Sequence, residues 1–424
     1  MDACIQSAGY LPVYGSAGEK FTMSKYICVL DKENFVNAIL DFKQKVLKEK
    51  ERAGFGMKYM KGMDLSTVKE VESLGGKFYD HGVEKDVFDI LKSYDVNAVR
   101  LRLWNDPYTE DGKPYGAGTN DLPTTIELAK RALDHDMEVL LDLHYSDFWA
   151  DPGKQRVPKA WRGMNVEELE QAVYDFTADT LKAMKAAGAY PTLIQVGNEL
   201  TNGTLWPLGQ LPNYDNLARF ISAGIRGVRS VDKEMPIMIH LDNGGNNAMY
   251  RDWFDHYIER GEDFQIIGLS YYPFWHGSLE DLQNNMNDLA TRYGKELMIA
   301  EVSMGFTMED YASYEKLAPE ERKGYATKPE LAAKVPFPMS KEGQKEFLKA
   351  LFDVIKQVPD GKGKGYFYWE AAWIPVPGSG WATEGALAYI EEKGPCGNEW
   401  ANQALFDYDG NALPALELIR DYQP

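Results

Sequence analysis

The order of apolar and amphipathic segments predicts an α/β fold, a single-domain (β/α)8 TIM barrel with a helical N-terminal extension. Three observations carry this expectation. Eight short apolar runs recur along the 424 residues, and stretches with helical spacing separate them. No GxGxxG follows the first run, so the doubly wound alternative lacks its glycine fingerprint. A hydrophobic content of 44% is that of a folded chain, long enough for one large barrel.

The runs, in order, are MKYMKGMD (57–64), VNAVRLRLW (96–104), MEVLLDLHY (137–145) and TLIQVGNE (192–199). PIMIHLD (236–242), FQIIGLSYY (264–272), ELMIAE (296–301) and GKGYFYWE (363–370) complete the set. Helical patterns fall between them, for example over 83–94, 166–187, 214–230 and 341–357. Residues 1–55 read as an N-terminal extension of unassigned role, with a charged helical stretch near 33–52 that has the pattern of a solvated face. Residues 56–424 read as the barrel.

Charge narrows the partners. The net charge is −19, from 65 acidic and 46 basic residues. Such a chain lacks the basic footprint that a phosphate backbone or an anionic membrane surface requires, so neither is an expected partner. Cys4, Cys28 and Cys396 are odd in number and widely spaced, with no CxxC, so neither a disulfide framework nor a zinc site is expected. The opening residues MDACIQSAGYLPVYG have neither a basic start nor an apolar h-region, and no apolar run approaches ~18 residues. The sequence as written reads as cytoplasmic, or as secreted if a leader has been trimmed.

In a barrel, chemistry sits where strands end and βα loops begin. Those ends carry Asp64, Arg100 and Arg102, Asp142 and His144, Asn198 and Glu199, His240 and Asp242, Tyr272, Glu301, and Trp369 and Glu370. So many polar groups would be a costly core unless they faced a wet cleft. Glu199 and Glu301 close the fourth and seventh runs, on opposing sides of a barrel mouth. Two carboxyls roughly 5–5.5 Å apart suit a retaining glycosidase. A buried Glu in an ion pair with a strand Arg is the bland alternative for either one. Asn198 is placed to reach a sugar hydroxyl. Tyr272 can lean towards Glu301 and hold it ionised, and Arg102 can do so by charge, with Arg100 deeper in a structural ion pair. His144 and His240 each stand two positions from an Asp, but there is no HxH or HExxH, so no metal centre is expected. Hydrogen bonding to sugar or to the catalytic carboxyls is the expected role of His144. Trp149, Trp161, Trp206, Trp275, Trp369, Trp373 and Trp381 lie in or near βα loops, where some can stack on sugar rings and others seal the barrel top.

These residues resemble those of glycoside hydrolase family 53, the arabinogalactan endo-β-1,4-galactanases. The matching segments are KGMDLS (61–66), VRLRLWNDP (99–107), HYSDFWADPGKQ (144–155), QVGNELTNGTLWP (195–207), HLDNGGN (240–246), IGLSYYPFWHGSL (267–279), MIAEVS (298–303) and YFYWEAAWIP (366–375). The resemblance implies Glu199 as acid/base, Glu301 as nucleophile, β-1,4-galactan as substrate and no organic cofactor. The substrate-binding set expected beside them is Asp64, Arg102, His144, Asn198, His240, Tyr272, Trp275, Trp369 and Trp373.

Two departures stand out. Phe148 occupies a position where a small polar residue is expected. The loop after the seventh strand (302–340) has no DxDG, so calcium, which some bacterial members hold there, stays an open alternative to no metal. Two other functions also stay open. One is hydrolysis of short galacto-oligosaccharides or another β-glycan, and the other is a non-catalytic carbohydrate-binding barrel.

Overall fold

All eight apolar runs become strands in the computed structural model, which describes residues 57–309 and 328–424. The expected extension over 1–55, with Cys4 and Cys28, lies outside the described residues. So does 310–327, the middle of the loop after the seventh strand. The strands are β1 (Met60–Asp64), β2 (Ala98–Leu103), β3 (Glu138–Leu143), β4 (Leu193–Val196), β5 (Ile237–Leu241), β6 (Ile266–Tyr271), β7 (Glu296–Val302) and β8 (Gly363–Tyr368). Each pairs in parallel with its sequence neighbours, and β8 closes on β1.

Parallel closure needs a crossover after each strand, and helices supply them. The main ones are α1 (Val87–Ser93), α2 (Leu122–Asp134), α3 (Val166–Ala186), α4 (Tyr214–Val231), α5 (Asn247–Ile258), α6 (Leu279–Tyr293), α7 (Lys341–Lys356) and α8 (Pro414–Asp421). Their starts are written in the chain. Asn165 and Glu168 form a reciprocal capping box on α3, as Ser278 and Asp281 do on α6. The first helical pattern, expected over 83–94, starts late. Val83–Lys85 pairs with Phe78–Asp80 as a small antiparallel ribbon, and Asp86 then caps α1 by accepting from the Phe88 amide.

The barrel interior is layered. Gly62 leaves room for the Phe367 ring, where a Cβ would sit 2.3 Å away, and Gly268 leaves room for Met238 in the same way. Above this apolar floor lies a polar layer, with Arg102 level with Asp142 and Asp142 level with Gln195. A register slip between Leu269 and Ser270 brings Ser270 opposite Glu301. Residues Tyr59–Pro424 form one compact unit. Among the described residues, no helix is long and apolar enough to cross a membrane.

Candidate active site

Several strand ends break into the left-handed region, with φ of +51° at Tyr145, +46° at Glu199, +52° at Asn243 and +49° at Glu370. Non-glycine residues adopt it at a cost, and they concentrate where a fold must aim a side chain. These turns open a cavity of about 390 Å³ at the C-terminal mouth of the barrel. Glu199 and Glu301 both line it, and a carboxylate oxygen of each lies within 4.8 Å of the other.

The two carboxyls have unlike surroundings. Glu301 accepts a hydrogen bond from the Tyr272 hydroxyl at 2.9 Å and stands 2.9 Å from Arg100 Nη2. Burial pushes it up to about 7, against the pull of Arg100 and Tyr272. Glu199 Oε1 lies 2.6 Å from the Ser270 hydroxyl. Burial, and then Glu301, Asp242 and Asp151, drive it well above the ordinary carboxylate range. A shared proton therefore rests on Glu199, while Glu301, held by a cation and a phenol, is the one to ionise.

The arginine that meets Glu301 corrects the sequence expectation. Arg102, read as the partner of Glu301, instead pairs with Glu370 at 2.5 Å and donates to Ala117 O, with its guanidinium 4.3 Å from the Trp149 ring centre. Arg100, read as structural, is the contact. It also binds Asp64 at 3.0 Å and Asp142 at 2.8 Å, so one buried guanidinium joins three carboxylates.

The other expected residues divide into those in the cleft wall and those beneath it. Asn198, Tyr272, Trp275, Trp369, Trp373, Arg102 and His144 line the cavity. Asp64 and His240 do not, and both are wholly buried. Asp64 serves Arg100 and Ser66, and His240 backs Ser270. His144 reaches neither catalytic carboxyl. Its Nδ1 accepts from Trp104 Nε1 and the Ala150 amide, so Nε2 donates to Asp142, leaving only its ring for a sugar. Asn198 spends Oδ1 on Arg100 and donates one amide proton to Ala150 O.

The aromatic wall is wider than expected. Trp400 joins Trp275 at 6.0 Å and Trp369 at 4.8 Å between ring centres, while Trp149 and Trp381 face the same cavity. Asp151, Lys154 and Asp242 also line it. Trp400 lay outside every apolar run, and its Asn-Glu-Trp context carries no signal of a cleft. Phe148 is explained by packing, since it wedges between Trp104 and Tyr115 and supports the wall from behind. Trp161 packs on Phe176 instead, and Trp206 does not line the cavity.

Among the described residues, Glu199, His240 and Glu301 form one group with donor atoms near enough to share a cation. Both ring nitrogens of His240 are already within hydrogen-bond distance of protein partners, so the arrangement works as a hydrogen-bonded set.

Comparison with known proteins gives concordant matches. The family model described as Glycosyl hydrolase family 53 matches residues 60–419. An endo-beta-1,4-galactanase of Bacillus subtilis is 35% identical, covering 93% of this chain and 92% of its own length. An arabinogalactan endo-beta-1,4-galactanase of Humicola insolens is 31% identical, covering 85% of this chain and 98% of its own. Among solved structures, the GH53 catalytic domain of Ignisphaera aggregans superposes with a TM-score of 0.78 at 40% identity, covering 85% of this chain and 95% of that one.

Proposed function

The chain belongs to glycosyl hydrolase family 53, and from that premise we propose that it is a retaining endo-β-1,4-galactanase acting on (arabino)galactan. One observation carries the mechanism: two buried carboxyls with oxygens within 4.8 Å, one beside a cation and the other among anions. That separation falls short of the roughly 6.5–9.5 Å that an inverting enzyme uses to admit water beside the sugar, and it suits double displacement.

In the first step a Glu301 oxygen attacks the anomeric carbon while Glu199 passes its proton to the departing glycosidic oxygen. A galactosyl ester of Glu301 forms, and Glu199 is left ionised. Water then enters where the leaving group stood, Glu199 takes its proton, and the water oxygen attacks the anomeric carbon opposite Glu301, which departs as a carboxylate, restoring the β configuration. Arg100 and Tyr272 keep Glu301 ionised for attack and receive its charge when it leaves. The tryptophan wall supplies flat apolar faces for pyranose rings. These steps call on two carboxyls and water, so no cofactor enters the proposal. The calcium alternative concerns the loop after β7, whose residues 310–327 lie outside the described ones.

The test is hydrolysis of linear β-1,4-galactan and of galactotetraose by wild type and Glu301→Gln, with products resolved by size. A rapid fall in polymer length, lost in the variant, is the expected result. Galactose released singly from the first minutes would replace the endo reading. Activity on the tetraose alone would move the enzyme to oligosaccharide processing.

A further inference from the structure

Ser270 on β6 and His240 on β5 take no part in the steps above, yet both are wholly buried directly behind Glu199. Ser270 Oγ lies 2.6 Å from Glu199 Oε1, and His240 Nε2 lies 2.8 Å from the same hydroxyl. On its other side, His240 Nδ1 is 2.9 Å from Asn198 Oδ1 and 3.1 Å from Gln195 Nε2. Asn198 Oδ1 accepts from Arg100 Nη2 at 2.9 Å, and that nitrogen stands 2.9 Å from Glu301 Oε1. A continuous polar chain thus runs beneath the cleft from one catalytic carboxyl to the other.

Proton counting gives this chain a direction. A hydroxyl has one proton, and a neutral imidazole has one donor and one acceptor. When Glu199 is ionised it can only accept, so Ser270 donates to it. His240 must then donate from Nε2, and its bare Nδ1 accepts from Gln195. When Glu199 carries a proton on Oε1, every link reverses. Glu199 donates to Ser270, Ser270 donates to a bare Nε2, and Nδ1–H donates to Asn198 Oδ1. The ring is neutral in both states. Burial, with Arg100 from β2, His144 from the end of β3 and His276 from the segment after β6, holds its pKa well below the ordinary value.

We propose that Ser270 and His240 are positioning residues for the acid/base step, a neutral relay whose direction and histidine tautomer follow the charge on Glu199. The relay gives ionised Glu199 a donor during the covalent stage and releases it when the proton returns. The surroundings explain the need. Glu199 is faced by Glu301 from β7, Asp242 from the end of β5, and Asp151 from the loop after β3, all of which oppose its charge. Lys154 lines the same cleft, 3.8 Å from Asp151 and 3.4 Å from Glu392. Ser270, 2.6 Å away, is placed to donate to Glu199 once it is ionised.

This inference rests on Glu199 being the acid/base, and the experiment separates the two claims. In Ser270→Ala, shown folded by circular dichroism, the basic limb of kcat/KM on galactan moves up by about one pH unit, because the ionised form loses a charge-assisted hydrogen bond. The kcat falls about tenfold, a loss of one hydrogen bond expressed as rate. In wild type, nitrogen-15 NMR of His240 reads Nε2–H above the basic limb and shifts towards Nδ1–H below it, and Ser270→Ala abolishes that shift. An unmoved basic limb, or a tautomer indifferent to pH in wild type, overturns the relay. Glu199→Gln is run alongside. If it retains the wild-type profile, the acid/base reading itself fails. If it loses the basic limb while Ser270→Ala keeps it, the relay alone fails.

Discussion

Arg100 and Tyr272 meet the same carboxylate but answer for different things. Arg100 is 1% exposed and balances Asp64, Asp142 and Glu301. Removing one partner of a buried ion set leaves uncompensated charge, which costs about 3–5 kcal/mol. Arg100→Met is therefore expected to lower the unfolding free energy by about that much in a urea titration, besides losing activity. Tyr272→Phe is milder, since a single hydrogen bond to Glu301 is lost. That bond favours the ionised nucleophile, so its loss raises the Glu301 pKa and moves the acidic limb of kcat/KM to higher pH, by about one unit. A limb that stays put would remove Tyr272 from the account. At this scale the sequence located both residues on strands but assigned the arginines in the wrong order. Parity along a strand says which side a residue faces, not how far a long side chain reaches across a barrel.

Among elements, the turn after β4 bears most directly on chemistry. Gly197 has φ +78°, and a Cβ there would lie 2.7 Å from Leu200. Gly197→Ala is expected to cost about 2 kcal/mol from the left-handed backbone and the contact together, and to displace Glu199 two residues on. Its activity should fall further than its stability. The contrast is Asn165→Ala, which removes the capping box of α3 on the outer ring. That change costs about 1 kcal/mol and leaves kcat/KM unchanged, as thermal unfolding and a galactan assay would read. Strands were legible because period-2 and continuous apolar runs are local signals. The ribbon at 78–85 was not, because three exposed residues paired with three others carry almost no pattern.

For the whole molecule, pH sets opposite demands. Glu301 and Glu370 are both raised by burial from 4.5 to about 7. A group bound more tightly by its proton when folded contributes stability below its unfolded pKa and loses that contribution as pH rises through its folded one. Buried His240 and His276, both held below the ordinary 6.5, act in the opposite sense at lower pH, so the Tm is expected to decline between pH 6.5 and 8, with the net charge of −19 adding repulsion in the same direction. Asp288 has the opposite sign but a separate window, since its pKa is lowered to about 2 by Arg251 and its contribution is lost only as pH falls from 3.8. Calorimetry of wild type and Glu370→Gln checks this: the variant should show a shallower decline. A Tm that rises over the window would contradict both assignments.

The chain's own pattern of eight apolar runs determined the barrel, because strand and helix periods are properties of short segments and eight such units close in one way. It also determined which residues stand at the strand ends, and the family resemblance named the sugar that no spacing could give. Tertiary structure decided everything that depends on reach and direction: Arg100 in place of Arg102 beside Glu301, His240 beneath the floor rather than in the wall, and Trp400 completing the aromatic face. These outcomes depend on distances across the barrel between residues 30 or more positions apart, and sequence separation carries no measure of them.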